Sequence, residues 1–163
     1  MPVNFNHKTL QEYSEQIARK EPVPGGGSAA AYTAALGAGL LCMVANYSIG
    51  RKSNTKSVET RLSKILTRAE MIRQRLLELT SLDSEAYLQI VAARQQEAKV
   101  QKKASRHAAG IGKEVCRLCY QATDLAPYLV EKGNPYLVSD VEVAVELLQA
   151  GFIGSMVMVK VNQ

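Results

Sequence analysis

The chain has 163 residues, with 20 Lys and Arg against 15 Asp and Glu, a net charge of +5 and a pI near 9.2; at this length it is expected to form one domain, residues 1–163, that buries about two-thirds of its unfolded surface. Three cysteines, an odd number, exclude a disulfide framework, and Met1–Lys8 has no apolar core of signal-peptide type, so a reducing, cytoplasmic setting is expected. Seven Tyr, two Phe and no Trp point to aliphatic helix packing, and the basic balance favours an anionic partner without choosing among nucleic acid, a membrane surface and a small polyanion.

Leu10, Tyr13 and Ile17 share one helical face, which predicts a first helix over about Thr9 to Arg19. From Pro22 to Gly50 no residue is charged. The run opens Pro22-Val23-Pro24-Gly25-Gly26-Gly27-Ser28 and continues with small residues such as Ala34, Gly37 and Ala38. These carry too little apolar area to favour insertion into lipid, so a central helix packed closely by its neighbours is expected rather than a membrane span. Ser28 suits an N-cap. Gly25, Gly26 and Gly27 read either as a tight lead-in or as a set of uncovered amides at a positive helix end, fit for an anion.

After a basic connection through Arg51 and Lys52, a long helix carries the seam Leu62, Ile65, Ala69, Ile72, Leu76, Leu79, Asp83, Ala86, Ile90 and Ala93. Asp83 stands where the pattern asks for an apolar residue; it must be paired, protonated or set at a cleft, unless the helix breaks near Thr80-Ser81 and Asp83 is a cap or surface residue. The polar run Arg94–Arg106 reads as a solvated helix face, and His107 beside it as a surface residue. Ile111, Val115, Leu118, Ala122, Leu125 and Leu129 keep helical spacing up to Gly133, with a kink expected at Pro127. Cys116 and Cys119 have metal-pair spacing but no second pair, and read as core, so no metal is expected. The last helix is expected to open with the capping box Ser139-Asp140-Val141-Glu142 and to bury Ala144, Leu148, Phe152 and Ser155 or Met156. Asp140 by itself reads as an acid favoured by the helix dipole. The whole is an all-α, single-domain bundle of five or six helices around the small-residue helix.

Pro24–Ala30, Met43–Asn46, Gly50-Arg51-Lys52, Leu82–Tyr87, Glu131–Pro135 and Val138-Ser139-Asp140 together resemble the formiminotransferase-cyclodeaminase family, which includes stand-alone methenyltetrahydrofolate cyclohydrolases. The resemblance covers nearly the whole chain. It implies a tetrahydrofolate derivative as substrate, no metal or redox cofactor, no nucleic acid or membrane partner, and a homodimer. It also implies Asp83, and after it Asp140, as catalytic acid or base. Arg51 and Lys52 are implied for the anionic tail, and Gly25, Gly26, Gly27, Ser28, Asn46 and Asn134 for the rest of the substrate, close to one another. Cyclodeamination is the first expectation and cyclohydrolysis the second.

Two other classes stay open. Departures from the family at Ala109-Gly110-Ile111-Gly112 and Met158–Asn162 suit a non-catalytic helical module that binds folate or another anion. Nucleic-acid binding rests on charge alone, without a recognised motif or stacking aromatics.

Overall fold

Close approach between two helices sets the architecture. In the computed structural model, which describes residues 3–163, the uncharged run forms a 23-residue helix, Gly26–Ser48. Met1 and Pro2, where the leader reading begins, lie outside the described residues. This helix is numbered α2 in the order α1 (Leu10–Ala18), α2, α3 (Lys56–Ala93), α4 (Ala98–Thr123), α5 (Ala126–Lys132) and α6 (Val138–Val161), with a 3-10 turn over Pro135–Leu137. The described residues contain these six α-helices and no strand.

Helix α6 runs antiparallel to α2, with a glycine from each at the crossing. A Cβ on Gly37 would lie 2.8 Å from the Ala144 carbonyl oxygen, and one on Gly151 would lie 2.7 Å from the Ala34 Cβ. Helix α3 covers the other side of α2, and α4 bridges α3 and α6. The core between them holds Leu41, Leu62, Leu76, Leu79, Leu129 and Leu148, all fully buried.

The seam of α3 is as the periodicity predicts: Leu62, Ile65, Ala69, Ile72, Leu76, Leu79, Ala86 and Ala93 are buried. The helix does not break at Thr80-Ser81. Both are buried within it, and the Thr80 hydroxyl donates to the Leu76 carbonyl, so its polarity is satisfied without leaving the helix. On α4, Arg75 of α3 grips the Glu114 carboxylate through two N–H groups at 2.9 and 3.1 Å. The run before it is solvated as expected, and His107 is exposed.

Several boundaries differ from expectation. Ser28 is not the N-cap of α2; the helix starts two residues earlier behind Gly25, which provides no side-chain cap. Pro127 does not kink a continuous helix but opens α5, because its missing N–H costs nothing in a first turn. The Ser139 capping box does not form. Asn134 instead accepts from the Tyr136 N–H and starts the 3-10 turn, which runs directly into α6 and leaves Ser139 inside it. Phe152 is 38% exposed; the contact with α2 passes through Gly151, which turns its neighbour outward. Helix α1 is capped by Thr9 and Glu12 but buries no residue, so its apolar face serves local docking instead of the core.

Two helices, Gly26–Ser48 and Pro135–Val161, are long and apolar enough to cross a membrane, with 61% and 28% of their apolar windows buried in the bundle. The first is the core helix.

Gly151→Ala tests the close crossing. Alanine is the better helix former by about 1 kcal/mol. Its methyl would nonetheless meet rigid neighbours, so thermal unfolding is expected to show a net loss of roughly 1–3 kcal/mol, while the same change at Gly110, which has open space, raises stability.

Candidate active site

The three glycines bring the backbone at the start of α2 against a carboxylate from α3. A side chain on Gly27 would overlap the Asp83 carboxylate, so only glycine lets the two elements meet there. The Ser28 N–H, in the first turn of α2, faces that carboxylate and favours its ionised form. The anion that the helix end was expected to attract is therefore the protein's own.

Asp83 is mostly enclosed, and burial pushes its carboxyl above the usual carboxylate range, with the Ser28 amide partly offsetting the rise. It lines a pocket of about 250 Å³ together with Pro22, Val23, Gly25, Gly26, Gly27, Tyr87, Ile90, Ala108, Met158 and Asn162. The floor is apolar, contributed by Ile90, Ala108 and Met158. The polar groups are the Asp83 carboxylate, the Tyr87 hydroxyl and the Asn162 side chain, whose amide donates to the Met158 carbonyl at 2.9 Å. Such a pocket holds one flat ring system and offers one proton-transferring carboxylate.

A hydroxyl pair stands behind the carboxylate. The Tyr13 and Ser28 oxygens are 2.8 Å apart, and the Tyr13 ring packs edge-on against Phe5 and Tyr32. Burial pushes the Tyr13 phenol above its ordinary value despite the Ser28 bond. Phe5 is tied in turn through its N–H to the Ser81 hydroxyl, two residues before Asp83 on α3.

The remaining candidates lie elsewhere. At the far end of α2 the Arg51 guanidinium donates to the Gly133 carbonyl at 2.6 Å, and the Ser48 hydroxyl accepts from the Asn134 N–H at 2.8 Å. Asn54 donates to the Ser48 carbonyl at 2.8 Å and tightens the same corner. Lys52 and Asn46 are exposed beside it, and Asp140 is half-buried in the first turn of α6. Arg51 and Asn134 thus hold the chain's corner together.

The expected single cluster is therefore split within one chain. Gly25, Gly26, Gly27, Ser28 and Asp83 sit at one end of α2; Asn46, Arg51, Lys52, Asn134 and Asp140 sit at the other. The expectation that Ser28 and Asn46 lie close is overturned: a straight helix rises 1.5 Å per residue, so eighteen positions separate them by ~27 Å. The sequence reading also missed Tyr87, Met158 and Asn162. Tyr87 had a signal, since it follows Asp83 by four on one helix face. Met158 and Asn162 reach the pocket only through the antiparallel crossing of α2 and α6.

Cys42, Cys116 and Cys119 are free and buried. Burial pushes the Cys119 thiol to about 12, which suits a packing role.

The comparisons with known proteins agree with this architecture. The chain is 34% identical over 167 residues to a methenyltetrahydrofolate cyclohydrolase of Methylorubrum extorquens, covering 96% of this chain and 79% of the relative. It is 24% identical over 164 residues to a formimidoyltransferase-cyclodeaminase of Rattus norvegicus, spanning 94% of this chain and 30% of that longer protein. The crystal structure of a formiminotetrahydrofolate cyclodeaminase from Thermotoga maritima superposes with a TM-score of 0.92 at 29% identity, over 96% of this chain and 78% of the other. The profile of one family extends over residues 9–163, nearly the whole chain, and with these likenesses it establishes that the protein belongs to the formiminotransferase-cyclodeaminase family.

Proposed function

We propose that this protein is an enzyme of one-carbon folate chemistry that acts at the methenyl carbon of a tetrahydrofolate, with hydrolysis of the methenyl bridge as its reaction. The observation that carries this reading is the Asp83 carboxylate, mostly enclosed in a largely apolar pocket and packed against Gly27 in the first turn of α2. The cyclohydrolase direction draws support from the 34% identical relative, of which this chain spans 79%.

In this reading Asp83 in its ionised form takes a proton from water as the water oxygen attacks the methenyl carbon. The tetrahedral carbon then releases one ring nitrogen. Asp83 returns its proton to that nitrogen while the tetrahedral hydroxyl loses its own proton to solvent and becomes the carbonyl of a formyl group on the other, so that the methenyl cation and water give the formyl product and one released proton. Protons move only among carboxylate, water and folate nitrogens, so the scheme calls for no metal or redox cofactor. The apolar floor of Ile90, Ala108 and Met158 suits a stacked pterin. Lys52 and Arg51 supply cations for the anionic tail, and Asp140 is a second carboxylate for the reaction. The acting species is a homodimer in the cytoplasm, a reducing setting compatible with three free buried thiols.

A second reading has a specific observation behind it. The structural neighbour with a TM-score of 0.92 is a formiminotetrahydrofolate cyclodeaminase. The same carboxylate would then protonate departing ammonia while the anilino nitrogen closes the bridge.

The two are separated by offering purified protein methenyl-tetrahydrofolate and 5-formimino-tetrahydrofolate and following the methenyl chromophore. Accelerated loss from the first substrate is the expected result; its appearance from the second with ammonia release would establish the cyclodeaminase. No change with either, from folded protein, would leave a binding module.

Asp83→Asn is expected to lower the hydrolytic rate by about a hundredfold to ten-thousandfold. Because the folded carboxyl is raised, kcat/KM of the native enzyme rises with pH through a value above the ordinary carboxylate range, and the variant lacks that limb. The same shift fixes a stability test. A raised carboxylate favours the fold below its unfolded value near 4 and loses that contribution as pH rises through the folded value. Asp83→Asn therefore melts no lower than the native protein at pH 7, and its relative stability falls at acid pH.

Gly27→Ala supplies a complementary check. Its methyl displaces the Asp83 carboxylate, so turnover is expected to fall with it while helical circular dichroism persists. Native-like rates from that variant would show that the carboxylate position is unimportant.

A further inference from the structure

We propose that Tyr13 is a positioning residue for the proton-carrying carboxylate: its hydroxyl holds Ser28, and through Ser28 the glycine-rich start of α2, against Asp83. The inference rests on the one-carbon folate reading, in which Asp83 moves the proton.

The start of α2 has little of its own to hold it. Its cap, Gly25, offers no side-chain bond, and three successive glycines leave the backbone free to depart from helical angles. The first intrahelical bond runs from the Ala29 N–H to the Gly25 carbonyl at 3.0 Å, so the amides of Gly26, Gly27 and Ser28 have no partner in their own helix. Among the described residues, one side-chain hydrogen bond anchors the stretch 22–28, and it joins the Ser28 and Tyr13 hydroxyls at 2.8 Å. Ser28 is fully buried, so solvent cannot replace that partner.

Tyr13 belongs to a brace that spans both helices. Its ring lies edge-on to Phe5 and to Tyr32 of α2, with centroids 5.4 and 5.3 Å away. On the α3 side, the Phe5 N–H donates to the Ser81 hydroxyl at 3.1 Å and the Val3 N–H to the Glu85 carboxylate at 3.0 Å. Ser81 and Glu85 stand two positions before and two after Asp83. The segment therefore grips α3 on both sides of the carboxylate, and α2 at the residue whose amide faces it. Helix α3 sets where the carboxylate stands; the phenol holds in place the donor that meets it.

That donor matters because the other groups around Asp83 carry little weight. Tyr87 lines the pocket from α3, and Glu85 is drawn off by the Val3 amide. Helix α4 contributes Ala108, and α6 contributes Met158 and Asn162, none of which titrates. His107 and Lys160 nearby are exposed, and α2 has no charged residue. In the lead-in, Glu21 pairs with Arg19 at 3.8 Å on the surface. From α1 comes Tyr13 itself; burial above all, and the Asp83 charge to a lesser degree, raise its phenol, so it keeps its proton while Asp83 titrates. Without the phenol, the Ser28 hydroxyl is left buried and unpaired, and the soft first turn shifts to satisfy it. The Ser28 amide then withdraws, and the carboxyl, already raised by burial, rises further.

Tyr13→Phe isolates the hydroxyl, since it keeps a ring between Phe5 and Tyr32, and α1 buries no residue in the core. The chain has three aspartates, Asp83, Asp124 and Asp140, so carbon-13 aspartate labelling gives three carboxyl resonances, and Asp83→Asn identifies the one that matters. Its titration midpoint is expected to rise by about one pH unit in Tyr13→Phe. In a Ser28→Ala background the same substitution is expected to move nothing, because the link is already cut. An unchanged or lowered midpoint in Tyr13→Phe, or an equal rise in the Ser28→Ala background, would overturn the proposal.

Kinetics supply the catalytic arm. The acid limb of kcat/KM moves to higher pH by the same interval, which is about a tenfold lower value at a fixed pH on that limb. A uniform fall at every pH with the limb in place is what a merely structural loss produces, and it would overturn the positioning role. If the native protein turns over neither folate, the one-carbon reading fails, and the carbon titration still decides what Tyr13 does to Asp83.

Discussion

The close approach of α2 and α6 through a glycine on each is the constraint on which the rest depends. Glycines at 37 and 151, opposite the Ala144 carbonyl and Ala34 respectively, let the two backbones approach closely. Dispersion and burial at that crossing replace the bulky interdigitation that other bundles use. The crossing also sets the depth of the pocket, because it decides how near Met158 and Asn162 come to the glycine lead-in. A methyl group at the crossing would therefore disturb both the core and the site.

The second constraint is electrostatic. A carboxylate on the core seam of α3 is tolerable because α2 begins beside it, without a side chain at Gly27 and with a free amide at Ser28. Neither helix would accommodate its partner's feature alone. An uncapped glycine end would leave its amides unmet, and a buried aspartate would carry an uncompensated charge. Joined, they hold a group whose affinity for protons lies above that of an ordinary aspartate, as a proton-shuttling residue requires.

Much of this was legible in the residues. The α3 seam and the anomaly of Asp83 on it follow from periodicity, and the special nature of Gly25–Gly27 from composition. What failed were boundaries and distances. Ser28 looked like a cap because it is a serine before an apolar run, yet glycines suffice to begin a helix that its neighbours hold along most of its length. The supposed neighbourhood of Ser28 and Asn46 came from likeness to a family, and the helical rise contradicts it for a single chain. Met158 and Asn162 had no local signal at all, since only the antiparallel return of α6 brings them to the pocket.

Helix α1 has no buried side chain, and the segment leading to it is tied to the bundle by the Phe5 N–H bond to Ser81, the Tyr13–Ser28 hydroxyl pair and three aromatic rings. Its amides therefore belong to a different opening unit from those of α2, α3 and α6. In hydrogen exchange they would be released by local detachment at small free energy, long before global unfolding. Each such detachment withdraws the phenol from Ser28, so the backing of the Asp83 carboxylate is renewed on the timescale of segment motion while the carboxylate itself stays fixed by the core.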